Sequence, residues 1–105
     1  MGKIVVSRRA QRDLRAIRAY VRQESGRDRA NALVQRVLAV CRLYADQPRA
    51  GWLHEELAAG VRACRCGPYL VFYRPRADGI DILRVLHGRR DIAAQWQDEP
   101  PGAKT

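Results

Sequence analysis

Guanidinium groups and one imidazole are the side chains of this chain best suited to chemistry. Eighteen of its twenty basic residues are arginine. Seven of these arginines lie in the second half of the sequence, and five of them are the candidates here: Arg62, Arg65, Arg84, Arg89 and Arg90. Guanidinium forks bind phosphate and carboxylate oxygens in pairs, and His87 is the candidate for proton transfer beside them. Together these groups suit either the binding of a polyanion or the metal-free cleavage of RNA, which needs cations, a base and an acid.

Two other pairs of residues have side chains that occur in metal or catalytic sites, but their spacing does not match such a site. Cys64 and Cys66 are two apart on a predicted strand and point to the same face, yet a structural zinc site needs four ligands from paired motifs. The chain offers only one more cysteine, far away, and two scattered histidines. Glu55 and Glu56 follow no catalytic spacing. We therefore expect no metal site and no cofactor, and interpret both cysteines as small apolar fillers of a sheet.

Length and charge restrict the class of protein. With 105 residues the chain suits one domain, which we predict over 1–97, followed by a flexible tail over 98–105. Lys+Arg is 20 against 11 for Asp+Glu, a formal net charge of +9. This excess favours an anionic partner. No apolar stretch is long enough for a membrane span, and no secretory signal is visible, so we expect no membrane contact and a cytoplasmic location.

Two helices are predicted in the first half. Ser7 is a suitable N-cap for a helix over 8–24, after a strand over 3–7. At 100° per residue, one stripe of this helix is apolar, comprising Ala10, Leu14, Ile17 and Val21. The opposite stripe is basic, comprising Arg8, Arg12, Arg15 and Arg22. A second amphipathic helix is predicted over 27–46, and the short link through Gly26 predicts an antiparallel helical hairpin.

The second half changes to the pattern of a sheet. After a connector over 48–60, segments rich in β-branched and aromatic residues predict three strands, over 61–66, 69–74 and 80–87. Short turns separate them, which indicates an antiparallel meander. Asp91 is a candidate N-cap for a last short helix through Trp96. The predicted fold is α+β, with an N-terminal strand and a helical hairpin packed on one face of a three-to-four-stranded, mainly antiparallel sheet.

The order of these elements, and four local motifs, resemble the ParE/RelE family of bacterial toxins, and its ParE branch more closely. The first motif, in the first helix, comprises Arg9, Arg12, Asp13, Leu14, Ile17 and Tyr20. The second runs from Glu56-Leu57 through Gly60 to Arg62, and the third is Tyr69-Leu70-Val71-Phe72-Tyr73-Arg74. The fourth and most specific ends an apolar strand with His87-Gly88-Arg89-Arg90-Asp91. The resemblance extends over about 3–96.

The resemblance implies the toxin component of a type II toxin–antitoxin system, which inhibits bacterial growth. It also implies a cognate antitoxin that folds onto the toxin in a hetero-oligomer. ParE-like members stall DNA gyrase on cleaved DNA and are not known as catalysts. RelE-like members instead cleave mRNA on the ribosome with several basic residues and a tyrosine near the C-terminus.

Gyrase inhibition is the function that the residues favour between these two. The sequence has the cations for RNA cleavage but not the lysines of the sheet edge, and Trp96 stands where the tyrosine is expected. An indole N–H cannot exchange a proton at neutral pH. His87 is then the remaining proton-transfer group, and a histidine at a strand end more often holds a structural hydrogen bond. The alternative, a ribosome-dependent mRNA endonuclease, would rely on Arg62, Arg84, His87 and Arg90.

The site residues follow from the resemblance and the charge pattern. We expect the gyrase-binding surface to lie around the last strand and the C-terminal segment, at Arg84, Arg89, Arg90 and Trp96. We expect the antitoxin to bind the basic helix stripe and the sheet, at Arg8, Arg12, Arg15, Arg22 and Arg62. A cluster of four guanidiniums on the sheet repels itself and needs an anionic partner. The alternative is that Asp91 and Glu56 pair with two of the arginines. Trp52 and Trp96 are both expected to be half-buried.

Overall fold

The chain folds as a helical hairpin on a five-stranded sheet, in a computed structural model that describes residues 2–97. In chain order the elements are β1 (Lys3–Val6), α1 (Arg8–Ser25), α2 (Arg27–Asp46), a 3-10 turn (Pro48–Ala50), β2 (Trp52–Leu53), β3 (Arg62–Cys66), β4 (Tyr69–Arg76), β5 (Gly79–His87) and α3 (Ile92–Gln97). The strand order is β1-β5-β4-β3-β2. β1 pairs with β5 in parallel and the other pairs are antiparallel. The predicted α+β class is confirmed, and the tail predicted over 98–105 lies outside the described residues.

The sequence did not predict the short strand β2 or the 3-10 turn before it. Trp52 and Leu53 pair with Ala63 and Arg62 at the edge of the sheet, inside the segment taken as a connector. Strands β4 and β5 are also longer than predicted, since they meet at the two-residue turn Ala77–Asp78. Within residues 2–97 no helix combines the length and apolar character that crossing a bilayer requires.

Helix α1 begins where the sequence predicts it. The Ser7 hydroxyl accepts a hydrogen bond from the Ala10 N–H at 3.1 Å, as an N-cap does. The same hydroxyl donates to the Leu83 carbonyl at 3.0 Å, which fixes the first turn of α1 to β5. Gly26 connects the two helices with a φ of 91°, a left-handed conformation that glycine adopts without strain. The predicted apolar stripe of α1 packs on the core.

The sheet is covered on both faces, although the sequence predicted a cover on one. The hairpin buries one face, with a core that includes Val37, Cys41, Tyr73, Ile80 and Ile82. A second, smaller cluster of Val61, Ala63, Phe72 and Leu86 fills the opposite face, where the connector and α3 pack against it. Tyr69 and Tyr73 are buried in the core beneath the hairpin. The opposite face of the sheet is not an open concave surface.

Tyr73 also fixes the connector that precedes β2. Its buried hydroxyl accepts from the Gly51 N–H at 2.9 Å and donates to the Pro48 carbonyl at 2.7 Å. Burial is the main cause that raises the pKa of this hydroxyl. Both polar functions of the buried phenol are satisfied, which a buried polar group requires.

A β-bulge in β5 sets the direction of the functional side chains. Phe72 lies opposite Arg84 and Tyr73 lies opposite Ile82, so Leu83 is an extra residue. Ile82 and Val85 are three positions apart, so regular alternation would place them on opposite faces of the sheet. Because of the bulge, both contribute to the core beneath the hairpin. A bulge of this kind bends the strand and redirects neighbouring side chains.

Candidate functional site

Arg84 is the centre of a buried ionic network that joins three elements. It is 6% exposed. Its Nε and Nη2 donate to the two carboxylate oxygens of Asp13, at 2.8 and 2.9 Å. The Val85 N–H donates to the same carboxylate at 3.0 Å. This two-pronged fork ties α1 to the bulged part of β5.

The network also holds the C-terminal end of α3. Nη1 of Arg84 donates to the Gln95 carbonyl at 2.7 Å, and Nη2 of Arg9 donates to the Trp96 carbonyl at 2.8 Å. Cations are favourable at a helix C-terminus, where backbone carbonyls lack partners. At the other end, the Ala94 N–H donates to the Asp91 carboxylate at 3.2 Å, so the predicted N-cap is confirmed. Helix α3 is thus held at both ends.

Trp96 closes the second face of the sheet. Its ring meets Phe72 edge-on, with the ring centroids 5.5 Å apart. It is half-buried, as the sequence predicted. Edge-to-face pairs of this kind stabilise beyond the area that they bury. The indole therefore anchors α3, and whether it also contacts a target stays a prediction.

The expected cluster of four guanidiniums on the sheet does not form. Arg84 is buried against Asp13, and the Arg62 guanidinium binds two backbone carbonyls, those of Arg49 at 3.0 Å and Gly51 at 2.8 Å. Arg89 and Arg90 remain exposed after the end of β5. The expected geometry was wrong because Arg84 finds its carboxylate on α1, 71 residues away in the chain.

The acidic partners proposed as the alternative have other contacts. Glu56 binds the Nδ1 of His54 at 2.8 Å, and this hydrogen bond lowers the pKa of the Glu56 carboxyl. Asp91 caps α3. Neither carboxylate has an arginine within ion-pair distance among residues 2–97.

The His87 ring makes contacts that stabilise the turn after β5. Its Nδ1 lies 3.2 Å from the Arg89 N–H and accepts its hydrogen bond. A neutral imidazole then carries its proton on Nε2. The ring also meets Tyr69 edge-on at 5.5 Å between centroids, and burial raises the pKa of the Tyr69 hydroxyl. The geometry supports a turn-stabilising role, with one ring nitrogen already used.

A groove runs between α1 and the junction of β4 with β5. Ile17, Tyr69 and Leu86 line it with apolar surface, and Asp13, Arg84 and Arg90 line it with charged groups. Tyr20, which also lines it, is 61% exposed. The groove therefore offers both apolar and charged contacts.

The basic stripe of α1 lies on the side of the helix turned from the core. Arg8, Arg15 and Arg22 are exposed, and Arg12 is partly buried. We call these four residues the basic ridge. Arg18, beside it, is instead bonded through Nε and Nη2 to the Asn31 side chain of α2, at 3.2 and 2.9 Å. The sequence thus placed the ridge correctly on α1, while its antitoxin role stays untested.

The edge strand β2 carries exposed apolar side chains. Trp52 is 63% exposed and Leu53 is 52% exposed. The prediction that Trp52 is half-buried was wrong, because its strand lies at the edge of the sheet, with no further strand beside it among residues 2–97. Exposed apolar residues on an edge strand favour contact with another chain.

The three cysteines lie in the core. Cys41, on α2, and Cys64 and Cys66, on β3, are all buried beneath the hairpin. Burial raises the pKa of the Cys41 thiol to about 11 and that of Cys64 to about 12. Thiols of this kind are protonated at neutral pH and are poor nucleophiles. They behave as apolar filling.

Asp13 is the important residue that the sequence reasoning left without a role. It was part of the helix motif, but its function depends on a contact that no local pattern contains. One signal was present: Arg84 interrupts an apolar strand, and a charge in that position needs a buried partner. Two acidic residues of α1, Asp13 and Glu24, fall on the same flank of its apolar stripe, and the fold brings the Asp13 carboxylate to Arg84.

Comparison with known proteins agrees with the fold and the motifs. The family model described as "ParE toxin of type II toxin-antitoxin system, parDE" matches residues 4–92. Toxin ParE1 of Caulobacter vibrioides is 38% identical over 82 residues, which cover 78% of this chain and 84% of the relative. Toxin ParE3 of the same organism is 32% identical over 95 residues, covering 90% and 95%. Toxin ParE1 of Mycobacterium tuberculosis is 31% identical over 92 residues, covering 87% and 94%.

A solved structure gives the same result. The structure described as "Chromosomal ParDE TA system from P. aeruginosa" superposes with a TM-score of 0.70 at 25% identity, over 83% of this chain and 96% of that chain. The family match covers most of the sequence, and the relatives align over most of their own length. The chain therefore belongs to the ParE toxin family of type II toxin–antitoxin systems.

Proposed function

We propose that this chain inhibits bacterial growth by poisoning DNA gyrase, and that a cognate antitoxin neutralises it by direct binding. The proposal starts from the family, whose relatives carry the name toxin. The observation that carries the choice of target is the filled second face of the sheet. The apolar cluster around Phe72 and Leu86, closed by Trp96, occupies the surface on which a nuclease of this fold would need its catalytic groups.

The candidate acid and base groups support the same choice. RNA cleavage without a metal needs a base and an acid within hydrogen-bond reach of the reacting oxygens. His87 already accepts the Arg89 N–H on one nitrogen. Arg84 is buried in its fork with Asp13 and is not available to a phosphate without breaking that pair. The Arg62 guanidinium binds two backbone carbonyls, so three of the four residues assigned to the nuclease alternative are held in structural contacts.

The gyrase contact is proposed at Arg89 and Arg90, beside α3. Both side chains are exposed. They follow β5 directly, and the Arg84 network holds α3 next to them. A surface held in place by hydrogen bonds, with exposed cations at its rim, is suited to binding a large partner with little ordering of the toxin backbone. In this proposal Arg84 and Trp96 position the surface.

The antitoxin contact is proposed along the groove beside Tyr20 and at the edge strand β2. Large apolar side chains are exposed in both places, and the net charge of +9 favours an acidic partner. A segment that folds on binding would bury these side chains and give a strongly negative heat-capacity change. In this arrangement Tyr20, Trp52 and Leu53 supply most of the apolar contact area.

Inducible expression in bacteria tests the proposal as a whole. We expect expression of the chain to cause filamentation and a DNA-damage response, and co-expression with its antitoxin to restore growth. Arg89→Ala should reduce toxicity while leaving the melting temperature nearly unchanged. Degraded mRNA without a DNA-damage response would replace gyrase poisoning by the nuclease alternative. Harmless expression in cells without the antitoxin would remove the toxin proposal altogether.

A further inference from the structure

The basic ridge on α1 is not explained by the fold. Arg8 and Arg22 are 14 residues apart, which places the ends of the ridge about 21 Å from each other along the helix axis. Three of its four side chains are exposed. Among residues 2–97 no carboxylate lies within ion-pair distance of any ridge guanidinium. Asp13, an acidic residue of the same helix, is used in its pair with Arg84.

The ridge costs the helix stability. Arg8 and Arg12 are four residues apart, and Arg12 and Arg15 are three apart, so like charges lie next to each other on the helix surface. The first turn of α1 contains no acidic residue and begins with Arg8. Cations are unfavourable at a helix N-terminus, where the backbone dipole is positive. An arrangement that works against both effects indicates a ligand that compensates for them.

The surroundings of the ridge indicate what kind of ligand this is. The large exposed apolar side chains of the chain are Tyr20, Leu43, Trp52 and Leu53, and none of them belongs to the ridge. On the wheel of α1, Tyr20 lies on the flank that borders the groove. A peptide that folds onto a surface needs apolar anchors. A row of guanidiniums without such apolar anchors is suited to a ligand whose negative charges are regularly spaced along its length.

We propose that the basic ridge binds the phosphate backbone of duplex DNA. One strand of DNA carries a charge about every 3.4 Å along the axis, so phosphates are dense enough for each of the four ridge guanidiniums to reach one. Guanidinium forks bind phosphate oxygens in pairs. The binding is independent of base sequence, since the ridge offers only contacts to the backbone. The site goes beyond the proposed gyrase inhibition, because it binds DNA without gyrase.

The test is a salt titration of DNA binding by the full chain. The probe is a fluorescent 20-base-pair duplex of arbitrary sequence, followed by anisotropy. The variant Arg15→Gln/Arg22→Gln removes half of the ridge, and Arg29→Gln/Arg42→Gln removes two exposed arginines of α2 with the same change in net charge. Glutamine has a helix propensity close to that of arginine, and thermal melting confirms that both variants fold.

Four phosphate contacts predict a slope of about −3.6 for log K against log salt, and loss of two contacts reduces it to about −1.8. We expect this reduction for the ridge variant and a nearly unchanged slope for the α2 variant. Equal reductions in both variants would show diffuse charge attraction and overturn the site. An unchanged slope in the ridge variant would also overturn it. A poly-glutamate peptide is the competing probe: ridge-dependent binding of that peptide, with DNA binding unaffected, would reassign the ridge to an acidic protein.

Discussion

Replacing Arg84 by alanine should destabilise the fold far more than removing any exposed arginine. The change deletes the two-pronged contact with Asp13 and the contact with the Gln95 carbonyl. It leaves the Asp13 carboxylate, whose side chain is 12% exposed, with the Val85 N–H as its hydrogen-bond donor within residues 2–97. A nearly buried charge without its counter-ion is among the most costly defects in a protein.

The magnitude follows from the burial of the pair. Removing one partner of a buried ion pair costs about 3–5 kcal/mol. Both side chains are far less than one third exposed, so solvent screens the pair little. A domain of this size loses about 4–8 °C of melting temperature per kcal/mol. Arg84→Ala should therefore lower the melting temperature by at least about 12 °C, and Arg89→Ala should change the free energy of unfolding by less than about 0.5 kcal/mol.

Urea denaturation and thermal melting of the two variants measure this difference. Asp13→Ala/Arg84→Ala completes the comparison, because removing both charges should cost less than the sum of the single changes. If Arg84→Ala melts within about 3 °C of the parent chain, the pair contributes little. In that case Arg84 would not be the residue that holds α1, β5 and α3 together.

Three further changes have consequences that the structure fixes. Gly79→Ala should disrupt the parallel pairing of β1 with β5 and lower the midpoint of urea unfolding, because an added methyl group would meet the backbone of Lys3. Tyr73→Phe should cost about 1–3 kcal/mol in the same measurement, since it leaves the buried Gly51 N–H and the partly buried Pro48 carbonyl without their partner. Burial raises the pKa of Cys41 from 9.0 to about 11, so its contribution to stability is complete below pH 9 and lost as the pH rises through 11. A Cys41→Ala variant should show a smaller alkaline loss in melting curves at pH 8–11; an equal loss would contradict the assignment to this thiol.

Local patterns predicted the elements that local physics determines. The 100° periodicity and the Ser7 hydroxyl were enough to place α1, because capping and amphipathicity act within a few residues. The same is true of Asp91 at the start of α3. Strand β2 escaped prediction because it has only two residues and gains its hydrogen bonds from β3. A segment of two residues is too short to show the alternation of side chains that predicts a strand.

The candidate site was less predictable because its main contacts are distant in sequence. Arg84 was assigned to a target surface from its charge, and only the fold brings Asp13 to it. The bulge at Leu83 changes which face its neighbours occupy, and alternation cannot anticipate this change. Arg89 and Arg90, assigned to the same target surface, are exposed after the strand end, and their role stays a prediction. The sequence therefore indicated which arginines are candidates for binding a partner. Their burial in the fold determines which of them a partner can contact.

The most direct test of the account is a supercoiling assay with purified DNA gyrase, relaxed plasmid and the purified chain. We predict inhibited supercoiling or accumulation of cleaved DNA bound to gyrase, and full relief when the antitoxin is added before gyrase. Arg89→Ala should weaken the inhibition without loss of fold. Normal supercoiling by gyrase at every toxin concentration, together with mRNA cleavage in a ribosome-containing extract, would contradict the proposed target.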